Sequence, residues 1–208
     1  MTDKSKALGA GRSAGKTATG HLERRAAVKA ILGDTSGDDI LFITGLAGSK
    51  NDVLEAVGPD CKRIYPLFGA MGAAAGMALG LALAQPNRRM VVVDGDGAAL
   101  MRLGAQSIVG FEQPANLVHV LLDNAVHEST GGQATVSRSV NFCAIAAASG
   151  YREVSSVADP AAVAAAIASS TGPAFIHAPT LPGVPAGLPR PATTPAAVAR
   201  RLREFLQT

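Results

Sequence analysis

The sequence predicts an α/β domain of three layers, a parallel sheet with helices on both faces. Three observations carry this. Short apolar runs rich in β-branched residues, such as Met90–Val93 and Leu117–Leu122, have the composition of strands buried on both faces. These runs alternate with helix-length segments, the order that lays parallel strands side by side. Two of the runs end in acidic polar turns, Asp94-Gly95-Asp96-Gly97 and Asp123-Asn124. Open α/β sheets hold their ligands at such carboxyl ends.

The elements follow in order. Residues 1–19 are rich in Lys, Gly, Ser, Ala and Thr with no apolar period, and are expected to form a flexible tail. Leu22–Leu32 reads as a helix with Leu22, Ala26, Ile31 and Leu32 near one face, stopped by Gly33 and the acidic turn Asp34–Asp39. Ile40–Thr44 is a strand ending at Gly45, and Thr44 and Gly45 lie at an end that could approach a ligand. Ser49 or Asn51 can cap a helix over Asp52–Val57. Arg63–Phe68 is a strand leading into Gly69-Ala70-Met71-Gly72. The helix Ala73–Gln85 is apolar all round, which predicts burial, and its small residues suit close packing against a partner subunit.

After the Met90 strand and its acidic turn, Leu103–Glu112 reads as a helix with Pro114 beyond its end. Leu117–Leu122 is the next strand, and Thr130–Val140 a polar, Gly-containing loop. Asn141 caps Phe142–Ser149, which Gly150 ends. Tyr151–Val157 is a strand, Asp159-Pro160 opens the helix Ala161–Ser170, and Ala174–Ala178 is the last buried strand. Pro179–Pro195 is irregular, and Ala196–Leu206 a basic amphipathic helix. The expected organisation is one domain over 20–181, followed by a Pro-rich segment and terminal helix over 182–208. No internal repeat interrupts it.

Composition narrows the function classes. Hydrophobic residues make up 48% and aromatics 4%, with no Trp, so the core is built from Ala, Val, Leu and Ile. The net charge is +3, but residues 1–30 carry +5 and residues 190–208 carry +3, which leaves −5 for the middle. Basic tails without a stripe of interleaved aromatics argue against nucleic acid. Cys61 and Cys143 form no metal-ligand pair and are too few for an iron–sulfur cluster. The apolar run Met71–Ala84 is too short and too rich in Gly and Ala to span a bilayer, and the polar start fits no signal peptide. A cytoplasmic location away from membranes is expected.

The turn Gly95-Asp96-Gly97 has specific chemistry. Its glycines let the backbone turn tightly and approach a ligand. A carboxylate among phosphate-binding amides would repel the phosphates unless a hard cation lay between them. Asn124, 28 positions on, can add an amide oxygen and Val126 a carbonyl. Asp-Gly pairs also form ordinary turns, so spacing alone leaves both readings open. A dinucleotide fingerprint fails, because Leu100 stands where the third glycine belongs, and there is no Gly-Lys-Ser/Thr for a P-loop.

Gly95-Asp96-Gly97 followed by Asp123-Asn124 resembles the thiamine-diphosphate motif, a GDG turn and then a pair ending in Asn. Asn124–Gln133 reads NAVHESTGGQ and resembles the NGAHESTGGQ segment of phosphonopyruvate and sulfopyruvate decarboxylases; Phe68–Gly72 resembles that family's G-S-M-G turn. The resemblance runs from Leu22 to Leu181, the extent of a diphosphate-binding (PP) domain.

The resemblance implies thiamine diphosphate and Mg²⁺ as cofactors. Asp96, Asn124 and the Val126 carbonyl would hold the metal. Gly95, Gly97 and Ala98 would offer backbone N–H groups to the diphosphate, at a helix N-terminus. The Gly69 carbonyl would accept from the aminopyrimidine, and Met71 would support the bent cofactor. Ala98 replaces a hydroxyl residue found in some branches of the family. His127 and Glu128 would border the cofactor, and His127, Ser129 and Thr130 would be the catalytic candidates, His127 as proton donor or anion contact. His119 and His177, inside strands, are read as structural.

The family activates its cofactor with a glutamate on a separate pyrimidine-binding (Pyr) domain, and Glu23, Glu55, Glu112 and Glu153 have no matching context. The expected protein is therefore the β subunit of a 2-oxo acid decarboxylase of sulfopyruvate or phosphonopyruvate type, half of an active site shared with a Pyr-domain α subunit. Inactivity alone, and a homodimer or larger assembly, are expected with it. The alternatives are a β subunit of another thiamine-diphosphate carboligase or dehydrogenase, and a non-catalytic cofactor-binding protein.

Overall fold

The computed structural model describes residues 21–33, 40–45, 48–58, 61–67, 69–183 and 193–207. The tail 1–19, the acidic turn Asp34–Asp39, Phe68 and most of the Pro-rich segment, residues 184–192, lie outside them.

Six strands form one parallel sheet: β1 (Ile40–Thr44), β2 (Ile64–Pro66), β3 (Arg89–Gly95), β4 (Leu117–Asp123), β7 (Glu153–Ser156) and β8 (Ala174–Pro179). Their order across the sheet is β2-β1-β3-β4-β8-β7. Between β4 and β7 come two short strands, β5 (Val126–His127) and β6 (Gln133–Ala134), paired antiparallel as a hairpin. The helices are α1 (Arg24–Leu32), α2 (Gly48–Val57), α3 (Ala74–Ala84), α4 (Asp96–Met101), α5 (Ala105–Glu112), α6 (Phe142–Ala148), α7 (Pro160–Ser169) and α8 (Pro195–Leu206).

The two-residue period of the strands divides the core. Phe42, Val91, Val93, Val118, Val120 and Ile176 point to one face, where Val28, Ile31, Val53, Val163 and Ile167 of α1, α2 and α7 cover them. Leu41, Ile43, Met90, Val92, Leu121 and Phe175 point to the other, beneath α3, α5, α6 and α8. Fully burying one such Val, Leu or Ile is worth about 1.5–3 kcal/mol. The three expected layers are present. Asn116, just before β4, ties the end of α3 to the sheet, its side-chain amide donating to the carbonyls of Ala82, Gln85 and Arg88 at 2.8–3.1 Å.

Several elements differ from the sequence expectation. Leu22 precedes α1 and pairs in strand fashion with Thr180, because Glu23 caps the helix by accepting from the N–H groups of Arg25 and Ala26. The second helix begins at Gly48, so Ser49 and Asn51 lie inside it rather than capping it. An additional one-and-a-half-turn helix, α4, starts at Asp96, ahead of the helix expected from Leu103. The loop Thr130–Val140 contains β6 and a 3₁₀ turn at Ser137–Ser139. The apolar α3 buries Ala74, Ala75, Ala78, Leu79 and Ala82, but Leu83 is exposed, as are Met101, Ile108 and Phe111 beyond it. Within one chain, the sheet and α5 cover only one side of α3.

Candidate functional site

Sheet register brings the expected site residues to one edge. Thr44 pairs with Val93, and Asp94 and Gly95 pair with Leu121 and Leu122, so β1, β3 and β4 end at the same level. The chain leaves β1 toward β2 and returns on the other side of β1 as β3, which makes this edge a topological switch point.

Asp96 sits where β3 becomes α4 and is 2% exposed. Its carboxylate accepts from the Thr135 hydroxyl and from the backbone N–H groups of Gly97 and Asn124. Burial pushes the Asp96 carboxyl up; the Thr135 hydrogen bond opposes this, the Asp123 charge adds to it, and the net direction is upward. None of these influences is cationic. The Asn124 side-chain oxygen accepts from the Val126 N–H at 3.1 Å. Between them Ala125 takes a left-handed conformation, φ 60°. Its N–H donates to Asp123 Oδ1 and its carbonyl accepts from Thr135, which closes the hairpin Ala125–Thr135 over the Asp96 turn.

Two glycines permit close approaches. A Cβ on Gly97 would lie 2.6 Å from the His127 ring, so the half-buried imidazole rests on the turn. Gly72, at φ 79°, lies against the Ala98 carbonyl and the Arg102 side chain, bringing the segment Gly69–Gly72 to the same place. Met71 there is half-buried and Gly69 exposed. A Cβ on Gly95 would meet nothing within 4 Å, which leaves open space before the turn. Ser129 and Thr130 are exposed on the hairpin, the Thr130 hydroxyl reaching the His127 carbonyl at 3.4 Å. The Glu128 carboxylate is paired with Arg24 and accepts from the Gly183 N–H.

Sequence reasoning gave no role to Thr135, Arg24 or the group around Asp123. Asp123 Oδ2 lies 3.0 Å from His177 Nε2, and His177 Nδ1 lies 3.2 Å from the Ser156 hydroxyl. Burial pushes the Asp123 carboxyl up, but hydrogen bonds from His177 and Ser137 outweigh it and hold it below its usual range. His177 thus supports the turn that carries Asn124. His119 is buried between Asp94, Tyr151 and Phe175, its Nδ1 3.3 Å from the Tyr151 hydroxyl. Burial pulls its pKa down to about 4 and pushes Asp94 up to about 7. The Gly131-Gly132 pair was a legible hairpin signal; nothing in the sequence marked Thr135.

The donor set is one carboxylate, one amide oxygen and the backbone carbonyls of the hairpin, all hard oxygens of the kind Mg²⁺ selects. Asp96 is buried with no cationic partner among the influences on it, so a divalent cation fits the site electrostatically as well. No group of three or more His, Cys, Asp or Glu side chains suited to a metal occurs among the described residues.

Comparison with known proteins gives the family. Residues 58–178 match the family model described as thiamine pyrophosphate enzyme, C-terminal TPP binding domain. The chain is 44% identical over 189 residues to a phosphonopyruvate decarboxylase of Streptomyces viridochromogenes, covering 89% of this chain and 46% of that protein. It is 38% identical over 162 residues to the sulfopyruvate decarboxylase subunit beta of Methanothermobacter thermautotrophicus, covering 78% and 84%. It therefore spans less than half the length of the first relative and most of the second. The benzoylformate decarboxylase of Polynucleobacter necessarius shares the fold, with a TM-score of 0.66 at 19% identity over 79% of this chain and 34% of that one. From the matched segment and the converging acidic turns, the chain belongs to the thiamine pyrophosphate enzymes, as their C-terminal TPP-binding domain.

Proposed function

We propose that this chain is the Mg²⁺- and thiamine-diphosphate-binding half of a 2-oxo acid decarboxylase acting on sulfopyruvate or phosphonopyruvate. The observation that carries the reading is the closure of the hairpin Ala125–Thr135 onto the Asp96 turn, beside open space at Gly95. The names of the relatives supply the substrate class.

Asp96, Asn124 and the Val126 carbonyl would hold Mg²⁺. The backbone N–H groups of Gly95, Gly97 and Ala98 would face the diphosphate, the Gly69 carbonyl would orient the pyrimidine end, and Met71 would support it. The bound cofactor supplies the carbanion-stabilising chemistry by which a 2-oxo acid loses carbon dioxide. His127, over Gly97, would contact the substrate's second acid group or deliver a proton, with Ser129 and Thr130 on the same hairpin and Glu128 bordering it. The activating glutamate would come from a Pyr-domain subunit, in line with the subunit-beta names. The exposed Leu83, Met101, Ile108 and Phe111 are consistent with association with that partner or a second copy.

The test is an assay of the chain alone and co-expressed with a Pyr-domain subunit, on both acids. The pair should decarboxylate at least one of them, the chain alone neither, and replacing the partner's glutamate should abolish turnover. Robust decarboxylation by this polypeptide free of any other chain would refute the shared site.

A further inference from the structure

The hairpin Ala125–Thr135 is held from two sides. On one side Thr135 meets Asp96 and His127 covers Gly97. On the other, both oxygens of Glu128 are taken up by groups remote in sequence. Oε2 accepts from Arg24 Nη1 and Oε1 from the backbone N–H of Gly183. The same guanidinium donates through Nε to Asp52 Oδ2 at 2.5 Å. Arg24 is 5% exposed and Asp52 3%, with Glu128 half-buried, so this is a largely buried acid–base–acid chain rather than a solvated surface pair. Charges so far from water are tolerated only when paired, and losing one member strands the others.

We propose that Arg24 is a positioning residue for the candidate site: its part-buried ion pair with Glu128 fixes Val126–Thr130 and keeps His127 against Gly97. Glu128 follows His127 directly, so an anchored Glu128 carboxylate confines the neighbouring backbone to within one peptide unit. The planar guanidinium serves two carboxylates in two directions, which a lysine ammonium does as a point charge without fixed angles. Arg25, 3.6 Å from the other Asp52 oxygen and paired with Glu55, surrounds the chain without reaching the hairpin. Arg24 and Asp52 lie on α1 and α2, before residue 58, where the family match begins. The site loop is thus set by residues outside the matched segment. The functional part of this inference rests on the cofactor reading above; the mechanical part does not.

Hydrogen exchange on the full chain, without ligand, separates the two. The Gly132 N–H donates to the His127 carbonyl and the Thr135 N–H to Ala125, so these amides report on the hairpin. In Arg24→Met and Glu128→Gln they should exchange at least about tenfold faster, while amides of β3 and β4 keep their protection. The double variant should be no faster than the faster single one, and Arg24→Lys should recover part of the loss. In the same variants, affinity for thiamine diphosphate with Mg²⁺ should fall by roughly tenfold. Unchanged exchange at Gly132 and Thr135, or equal acceleration across β4, would overturn the proposal. Absence of thiamine diphosphate binding by the wild-type chain assembled with a Pyr-domain subunit would instead overturn the cofactor reading, with the exchange result still deciding the role of Arg24. Should Arg24→Met fail to fold, Glu128→Gln and Arg24→Lys carry the same comparison.

Discussion

The His127 imidazole lies directly on Gly97: an ideal Cβ at that glycine would come within 2.6 Å of both Cε1 and Nδ1. Gly97→Ala must displace the ring. Overpacking of this kind costs about 1–3 kcal/mol, and here it acts where the diphosphate would bind. The variant should fold but bind thiamine diphosphate roughly tenfold or more weakly by calorimetry. Equal affinity would mean that the ring swings aside freely.

Asp96→Ala removes the one carboxylate of the proposed metal set and leaves the diphosphate charge uncompensated. Mg²⁺-dependent binding of thiamine diphosphate should disappear. Asn124→Ala should weaken it less, since water can replace a neutral oxygen ligand. A calorimetric titration of the Asp96 variant that matched wild type would remove the metal assignment.

In the complete enzyme, His127→Ala and Ser129→Ala should lower kcat/KM more than they lower cofactor affinity. Should the variants lose thiamine diphosphate instead, yet turn over normally when saturated, the two residues serve the diphosphate.

Ala125 holds φ 60°, which costs a non-glycine residue about 1–2 kcal/mol. Ala125→Gly relieves that cost and loses part of the gain to the greater freedom of the unfolded chain. A net stabilisation of about 0.5–1 kcal/mol in chemical denaturation is expected. A destabilised variant would show that the surrounding hydrogen bonds, rather than strain, dominate at this turn.

Buried His119 and Asp94 give opposed pH dependences. His119 falls from 6.5 to about 4 in the fold, so its contribution is complete above pH 6.5 and is lost as pH falls toward 4. Asp94 rises from 3.8 to about 7, so its contribution is complete below pH 3.8 and is lost as pH rises toward 7. Each amounts to about 3–4 kcal/mol, and between pH 4 and 6.5 the two offset one another. Asp94→Asn should therefore lose stability on acidification from pH 6.5 to 4, and His119→Phe should gain it over the same range. Denaturation curves with the same slope against pH in both variants would contradict this.

The strand–helix frame was legible because it rests on apolar period: Met90–Val93 and Leu117–Leu122 fall within β3 and β4. The four acidic and amide positions of the motif were legible because strand ends in parallel order must fall at one edge. What escaped has physical reasons. Six residues of α4 are too short to show a helical period, and its first residue is the aspartate read as part of a turn. Strands β5 and β6, two residues each, have no alternation to detect. Arg24 belongs to a charged pair at the start of an amphipathic helix, where charge usually faces water; its burial depends on Asp52 and Glu128, 28 and 104 residues away. The Thr135 hydroxyl reaches Asp96, 39 residues earlier, a contact no local pattern encodes.

The family match begins at residue 58, yet β1, residues 40–44, lies between β2 and β3 in the interior of the sheet. Exchanging residues 58–178 for those of a relative would set a foreign strand on either side of β1, with the seam down the middle of the core. The unit that can be inherited or recombined whole therefore starts at least as early as α1. A chimera joined before residue 22 should keep its sheet, and one joined at residue 58 should inherit two mismatched ladders.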